Sequence, residues 1–231
     1  MELIVEGLRE AIRKIAALDP ALSDATLRTL QVSGTATLVS LVIGVPAGVG
    51  LALSRFRGRT FVVALVNTGM GLPPVVVGLF VMILLWRSGP LGGLGLLYTP
   101  TAMIVAQSLI ALPLVTGLSL AAVQTLPPRL HLQVRALGAT PVQCARILAR
   151  EAQLPILAAL MAGFGAVVSE VGASLMVGGN IRGSTRVLTT ATVLEAGKGN
   201  FAGAIALGIV LLALAYAINV VLTRLQQRSR P

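Results

Sequence analysis

Residues 125–155 read TLPPRLHLQVRALGATPVQCARILAREAQLP and separate two strongly apolar blocks. Pro127 and Pro128 end any preceding helix, because proline fixes φ and lacks the N–H that a helix interior needs. The pattern then predicts a short helix over residues 129–137, closed by Gly138 in the left-handed conformation. The apolar side of this helix is expected to comprise Leu130, Val134 and Leu137.

A second short helix is predicted directly after this glycine. Thr140 suits the N-cap, Pro141 suits the first helical position, and Gln143 completes a capping box. Its apolar side is expected to comprise Val142, Ala145, Ala149 and Ala152, and its polar flank Gln143, Arg146 and Arg150. We interpret the segment as a surface that another molecule grips; the alternative is a solvated basic loop that follows the positive-inside rule.

The composition places the rest of the chain in a bilayer. Of the 231 residues, 55% are hydrophobic and 11% are charged, whereas a soluble domain has about 25% charged residues. The net charge is +10, but aromatic residues make up only 3%, so a basic membrane face explains the charge better than nucleic-acid binding does. Cys144 and His131 are single residues of their kinds, which excludes an intrachain disulfide and predicts no metal site.

The N-terminal residues 1–25 predict an amphipathic helix that lies in the membrane interface and ends near residues 19–20. The acids Glu2, Glu6 and Glu10 contradict a signal peptide, whose first residues are positively charged. The apolar stripe at helical spacing comprises Ile4, Leu8, Ala11, Ile15 and Leu18. The alternative is an additional, weakly apolar span packed on the others.

Residues 26–231 predict a transmembrane domain. A membrane-spanning helix needs roughly 20 mostly apolar residues. The segments that meet this requirement are residues 27–53, 61–86, 101–126, 154–177 and 201–222. We therefore expect five transmembrane helices.

Five spans place the basic segments on one side of the membrane. These segments are residues 54–60 with three arginines, residues 127–153, and the tail after Leu222. Cytoplasmic loops of membrane proteins carry an excess of lysine and arginine. This side is therefore predicted to be cytoplasmic, with the N-terminus outside and the C-terminus inside.

The second predicted span is interrupted by Pro73 and Pro74. Consecutive prolines leave backbone carbonyl groups without helical partners, and these groups need neighbours or a watery cavity at membrane depth. Broken helices often line the substrate path of a transporter. The interruption is thus either part of a translocation path or a simple packing kink.

The fourth predicted span carries small residues and one acid on a single helical stripe, namely Gly163, Ala166, Glu170 and Ala173. The stripe places Glu170 against protein or a cavity rather than lipid. A flexible loop over residues 178–186 follows, and its donor-rich side chains suit an oxyanion, although an ordinary extracellular turn has a similar composition. We expect Glu170 to pair with Arg182 or Arg186; the alternatives are a protonated carboxyl or a bond to a backbone group that the Pro73-Pro74 break of the second span exposes.

Several motifs resemble the permease subunits of ABC importers. The run ALGATP at residues 136–141 resembles the centre of the loop that these permeases present to their ATPase subunits, although Leu132-Gln133-Val134 stands where that family has Glu-Ala-Ala. SEVGA at residues 169–173, GGNIRG at 178–183 and LTT at 188–190 resemble the permease subunits of tungstate ABC importers.

This resemblance implies an all-α membrane protein with the type I importer fold, working as a homodimer with its path on the two-fold axis. It also implies cytoplasmic ATPase subunits, which would bind ATP and magnesium, and an extracytoplasmic oxyanion-binding protein. Related molybdate and sulfate permeases share the architecture and remain alternatives.

The resemblance assigns two groups of residues. The expected ATPase-coupling residues are Gly138, Thr140, Pro141, Gln143, Arg146 and Arg150. The expected residues of the path or its gate are Pro73, Pro74, Glu170, Gly178, Gly179, Asn180, Arg182 and Arg186. The chain carries no G-x-x-x-x-G-K-[ST] motif, so we expect no enzyme activity and no cofactor on this chain. A secondary transporter, a channel or a membrane scaffold are the remaining alternatives.

Overall fold

The structure, a computed structural model, describes residues 2–17 and 19–228, which form helices and connecting turns without a β-strand. In chain order the helices are α1 (Glu2–Ala16), α2 (Pro20–Leu53), α3 (Arg59–Met70), α4 (Pro74–Leu85), α5 (Pro100–Gln124), α6 (Pro128–Ala136), α7 (Pro141–Glu151), α8 (Gln153–Val168), α9 (Gly172–Gly178), α10 (Leu188–Gly197) and α11 (Phe201–Arg228). A short 3-10 turn, Gly92–Leu94, lies between α4 and α5. The predicted all-α fold is confirmed for this part of the chain.

The long helices α2 and α5 pack together along a stripe of small residues. Ser40, Gly44 and Gly48 recur at every fourth position of α2 and are buried. A Cβ atom on Gly48 would lie 2.8 Å from the Cβ of Ser119 on α5 and would also collide with the carbonyl oxygen of Thr116. Small residues allow such close approach between membrane helices. Contact between the two backbones therefore organises the centre of the molecule.

Three helices, α2, α5 and α11, are long and apolar enough to cross a membrane on their own. Two bent helix pairs, α3 with α4 and α7 with α8, bring the number of candidate spans within the described residues to as many as five. The predicted number of spans therefore agrees with the structure only when the bent pairs are included.

The second span is broken rather than kinked. α3 ends at Met70, α4 begins at Pro74, and the two helix axes diverge by 102°. Pro73 caps α4 and accepts backbone hydrogen bonds from Val76 at 2.9 Å and Val77 at 3.3 Å. The two prolines thus end one helix and start another, in agreement with their restricted φ.

The fourth span is not the single helix that the sequence predicts over residues 154–177. α8 ends at Val168, residues 169–171 form a link without helical structure, and α9 begins at Gly172. The Ser169 hydroxyl donates to the carbonyl oxygen of Gly165 at 2.8 Å, which gives that carbonyl a side-chain partner at the end of α8. Such local side-chain bonds compete with helix continuation.

α1 packs on α11 through small residues rather than through its apolar stripe. Ala11 is buried, and Gly7 lies against the side chain of Ile205 on α11. The larger residues of the predicted stripe, Ile4, Leu8 and Ile15, are exposed; Leu18 lies outside the described residues. An exposed apolar stripe is what a helix facing lipid requires.

The predicted basic segments lie together at one end of the bundle, which we call the basic end. Arg59 Nε at the start of α3 donates to the carbonyl oxygen of Leu51 on α2 at 2.8 Å. Arg59 also shares a cavity with Arg135 of α6. Near the end of α11, Gln226 donates to the carbonyl oxygen of Leu154 at 3.3 Å. The start of α3, the α6–α7 segment and the C-terminal helix therefore meet here.

Candidate functional site

At the basic end, α6 and α7 meet at a glycine corner. Gly138 has φ of +82°, the left-handed conformation that the sequence predicts. A Cβ atom at this position would meet no other atom within 4 Å, so the backbone conformation alone favours glycine. The Gly138 N–H donates to the carbonyl oxygen of Arg135 at 3.0 Å, which closes α6.

The predicted start of α7 is confirmed. The Gln143 N–H donates to Thr140 Oγ1 at 3.3 Å, and the Thr140 N–H donates to Gln143 Oε1 at 2.8 Å. Pro141 is the first residue of the helix. This capping box satisfies backbone donors that would otherwise be free at the helix start, so the corner holds a fixed shape.

The buried sides of these two helices differ from the prediction. A buried cluster joins the helices through Val134, Cys144 and Leu148, with Leu130 and Ala139 packed against it. Leu137 is 87% exposed and Val142 is 71% exposed, although both were expected on apolar, buried sides. The reason is the corner itself, because it directs the residues on either side of it away from the bundle. We call Leu137 and Val142 the apolar tip.

The polar flank of α7 is exposed, as predicted, at Gln143, Arg146 and Arg150. Arg146 and Arg150 also line an apolar groove of about 560 Å³, whose other walls include Leu41 of α2 and Leu157 of α8. The segment from residue 127 to 153 therefore presents an apolar tip and a basic flank. Ala152 is buried as expected, and Ala145 and Ala149 are half-buried.

Deeper in the bundle, the breaks of the second and fourth spans lie side by side. A Cβ atom on Gly78 of α4 would lie 2.5 Å from the Cα of Ala173 on α9. One on Gly172 would lie 2.5 Å from Cγ2 of Val75, the residue after Pro74. Two predicted path elements, the proline break and the segment around Glu170, are thus brought together by glycine contacts.

Glu170 binds the backbone rather than an arginine. Its carboxylate accepts a hydrogen bond from the Ala173 N–H at 2.8 Å and so caps α9, while its carbonyl oxygen accepts one from Thr189 at 3.0 Å. The predicted ion pair with Arg182 or Arg186 is absent from the described ion pairs. Both arginines follow the far end of α9, which is roughly 10 Å long.

The 178–186 loop, predicted to be flexible, contains several hydrogen bonds among its own polar groups. The Thr185 hydroxyl donates to the carbonyl oxygen of Gly178 at 2.5 Å and accepts from the Ile181 N–H at 3.0 Å. Arg186 Nε donates to Asn180 Oδ1, and Arg186 Nη2 donates to the Asn180 carbonyl oxygen, both at 3.2 Å. Two of the predicted oxyanion donors, Thr185 and Arg186, are therefore engaged within the loop.

Glycine and asparagine set the backbone of this loop. Gly179 and Asn180 have φ of +68° and +53°, which glycine adopts freely and asparagine tolerates. The ring of Tyr98 packs directly against Gly179. Arg182 is exposed, so its guanidinium is more accessible than that of the half-buried Arg186.

The first turn of α10 is a part of the site that sequence reasoning missed. Leu188, Thr189, Thr190 and Ala191 are all buried. The Leu188 N–H donates to Thr29 Oγ1 of α2 at 2.9 Å, and Asn180 Nδ2 donates to the Thr190 carbonyl oxygen at 3.3 Å. The buried threonines connect α2, the 178–186 loop and the Glu170 break. In the sequence, hydroxyl residues inside an apolar run could have indicated this buried polar contact.

A small cavity of about 90 Å³ lies beside this loop, lined in part by Lys14 of α1, Arg186 and Glu195. Lys198 donates to Glu195 at 3.0 Å and Asn200 donates to it at 2.7 Å. These bonds, the one from Lys198 first, hold the pKa of Glu195 below its usual value. In the ranges that the structure describes, no group of three or more metal-ligating side chains occurs.

Comparison with known proteins defines the class to which this chain belongs. A family model described as a binding-protein-dependent transport system inner membrane component matches residues 16–231. The chain therefore belongs to this family of membrane components of transport systems.

Individual relatives refine this assignment. The chain is 44% identical to a probable anion ABC transporter permease protein of Haloferax volcanii over 88% of this chain and 90% of that one. It is 38% identical to the tungstate uptake system permease protein TupB of Peptoclostridium acidaminophilum, over 98% of this chain and 100% of the relative. A molybdenum transport system permease protein, ModB of Azotobacter vinelandii, is 30% identical over 69% of this chain and 74% of its own length.

Solved structures confirm the fold. A chain of the inward-facing MetNI methionine ABC transporter superposes with a TM-score of 0.77 at 24% identity, covering 93% of this chain and 99% of the other. At this identity the likeness concerns the fold alone, which is that of ABC importer permeases.

Proposed function

We propose that this chain is the membrane-spanning subunit of an ATP-driven importer of a tungstate-type oxyanion. The observation that carries the proposal is the similarity, over nearly the whole chain, to a permease named for tungstate uptake. The similarity to molybdenum permeases is lower and covers less of the chain, so molybdate is the second candidate substrate.

The α6–α7 corner is proposed as the contact for a separate ATPase subunit. The exposed apolar tip supports this role, because an apolar side chain on a rigid corner is the kind of anchor that fills a pocket on a partner. Gly138, Thr140, Pro141 and Gln143 would hold the corner in shape, and Arg146 and Arg150 would supply charge at its flank. ATP and magnesium would be bound by the partner.

The paired helix breaks are proposed as part of the translocation path or its gate. The Pro73-Pro74 break and the Glu170 break lie together, and each ends a helix inside an apolar bundle. The 178–186 loop, with Gly178, Gly179 and Asn180, would support the gate from its end of the bundle. Exposed Arg182 is the residue best placed to attract an anion, with Arg186 held by Asn180 beside it.

The assembly is proposed as a homodimer with two cytoplasmic ATPase subunits and an extracytoplasmic oxyanion-binding protein. The basic end would face the cytoplasm, which agrees with the excess of lysine and arginine in cytoplasmic loops. The N-terminus would then lie outside and the C-terminus inside.

Reconstitution tests the proposed function. The chain, its ATPase and its binding protein are placed in proteoliposomes, and ATP hydrolysis and oxyanion uptake are measured with tungstate, molybdate and sulfate. Tungstate is expected to stimulate hydrolysis at the lowest concentration and to be taken up only with ATP. Stimulation by molybdate alone would favour the second candidate. Uptake driven by an ion gradient without ATP would instead identify a secondary transporter.

A further inference from the structure

We propose that a cavity at the basic end binds the phosphate group of an anionic phospholipid. We call it the arginine groove and define it by Arg55, Arg59, His131 and Arg135. It has a volume of about 650 Å³ and forms where the end of α2, the start of α3 and α6 meet. Ligand sites occupy roughly 300–1,000 Å³, so the groove is large enough for a headgroup. Its α6 wall, with His131, Leu132 and Arg135, belongs to the segment from residue 127 to 153, but none of the residues proposed above for the ATPase contact or the path lines it.

The charge of the groove requires an anion. Three of its lining residues are arginines, and none is an acid. None of the described ion pairs involves Arg55, Arg59 or Arg135. Guanidinium groups clustered without a counter-ion repel one another, and phosphate oxygens match the fork of N–H donors on each group.

One of these arginines is held in place before any ligand arrives. Arg59 Nε donates to the carbonyl oxygen of Leu51 at 2.8 Å, in the last turn of α2. The carbonyl end of a helix is electronegative, which favours a cation there. A guanidinium has five N–H donors, so this bond leaves the other N–H groups of Arg59 for a ligand. The groove is thus partly preorganised.

The surroundings of the groove favour a lipid over a soluble phosphate. α2 and α3 both belong to membrane spans, so the groove lies where a span leaves the bilayer. The arginines of this connection alternate with exposed aromatic residues: Phe56 is 48% exposed and Phe61 is 73% exposed. Basic residues beside exposed phenylalanines are typical of segments that insert between acyl chains and bind anionic headgroups.

The test measures lipid retention on the full-length chain. The wild-type chain is reconstituted in nanodiscs of phosphatidylcholine with and without phosphatidylglycerol. It is then extracted, and the lipids that remain bound are identified by native mass spectrometry. We expect phosphatidylglycerol to be retained in preference to phosphatidylcholine. The preference should fall more than roughly tenfold for each arginine removed in Arg55→Gln and Arg135→Gln, and further in the double variant, because each loses a charge-assisted bond to phosphate as well as the general attraction of the surface.

Arg57→Gln is the matched control. It removes the same charge from the same connection, but Arg57 does not line the groove. Its retention of phosphatidylglycerol should stay within about fivefold of wild type, since it loses only the general attraction of the membrane surface. Arg135→Lys keeps the charge and serves as a second variant if the double variant unfolds; it should retain lipid better than Arg135→Gln.

Three outcomes would overturn the inference. Equal retention of the two lipids, or an equal loss in Arg57→Gln, would show that the groove has no headgroup site. Binding of inorganic phosphate without retention of phosphatidylglycerol would show that the source of the phosphate is not a lipid. Full lipid retention in the double variant, with loss only of ATPase assembly, would make the groove a protein contact. None of these readouts depends on tungstate transport.

Discussion

The segment from residue 127 to 153 and the 178–186 loop are both polar, and both turn at a glycine with positive φ. Their side chains nevertheless differ in what they bind. The first leaves Leu137, Val142 and Arg146 exposed. The second engages Thr185 and Arg186 in bonds within itself. The exposed side chains of the first segment remain accessible to a partner, whereas the polar side chains of the loop form hydrogen bonds with the loop itself.

The largest effect is expected from a change inside the self-bonded loop. Thr185→Val keeps the shape of the side chain but removes the bond to the buried Gly178 carbonyl and the acceptor for the Ile181 N–H. The cost should be about 2 kcal/mol, because a buried polar group then lacks a partner. Thermal unfolding of the purified chain measures it, with Thr185→Ser as the control that keeps the hydroxyl. Equal melting temperatures for the two variants would contradict the loop's structural role.

The next effect is expected at the Glu170 break. Glu170→Ala leaves the Ala173 N–H without its partner and should destabilise the chain by about 1.5 kcal/mol. Glu170→Gln keeps an acceptor oxygen and should unfold close to wild type. Combining Glu170→Arg with Arg186→Glu should restore nothing, since the two residues do not form an ion pair. Rescue by that double variant in an unfolding and uptake assay would show that they do pair.

At the exposed α6–α7 corner, a substitution should change ATP hydrolysis without changing the stability of the isolated chain. Leu137→Ser should lower oxyanion-stimulated ATP hydrolysis about tenfold, equivalent to about 1.4 kcal/mol, while leaving the unfolding of the isolated chain unchanged. The side chain is 87% exposed, so no burial is lost in the free chain. Gln133→Ser, at an exposed position on the preceding helix α6, is the control. Wild-type hydrolysis in Leu137→Ser would mean that the tip is not the contact.

A smaller effect is expected for the corner's backbone. Gly138→Ala should cost about 1 kcal/mol, because an L residue is strained at φ of +82°. Gly138→Asn should cost less, since asparagine tolerates this conformation. Gly165→Ala is the matched control, because a Cβ there also meets no atom within 4 Å and φ is not positive. If all three variants have the same melting temperature, the left-handed backbone at residue 138 does not require glycine.

The smallest effect is expected near the 178–186 loop, at Glu195. Its pKa is lowered by Lys198 and Asn200, so its stabilising contribution is complete above the ordinary value of 4.5 and is lost as pH falls through the lower folded pKa. Glu195→Gln should therefore melt slightly below wild type at neutral pH and match it in acid. A difference that persists unchanged in acid would assign the effect to packing.

The sequence predicted local backbone events well because they depend on a few adjacent residues. The left-handed Gly138, the capping box of Thr140 and Gln143, and the interruption at Pro73 each follow from the conformational limits of those residues. The grouping of the basic segments at one end also follows from counting spans. None of these predictions requires knowing which residues distant in sequence are in contact.

The failures concern features that hydropathy does not report. The predicted span over residues 154–177 is apolar on average although it includes Ser169 and Glu170; average hydropathy measures avoidance of water and not continuity of a helix, so the break at Glu170 was missed. Leu137 and Val142 are apolar but exposed, so their hydrophobicity does not serve the core of this chain. The burial of Thr189 and Thr190 depends on α2, which lies far away in sequence.

The contact between α4 and α9 has a mechanical consequence. The two short helices touch through Gly78 and Ala173, so neither can slide along the other without a clash between backbones. Each is joined to its preceding helix by a short link without helical structure, at residues 71–73 and 169–171. Such links act as hinges when they absorb changes in φ and ψ. We therefore expect α4 and α9 to move as one unit about the two links, so that a tilt imposed on α4 also turns α9 and the loop beyond it.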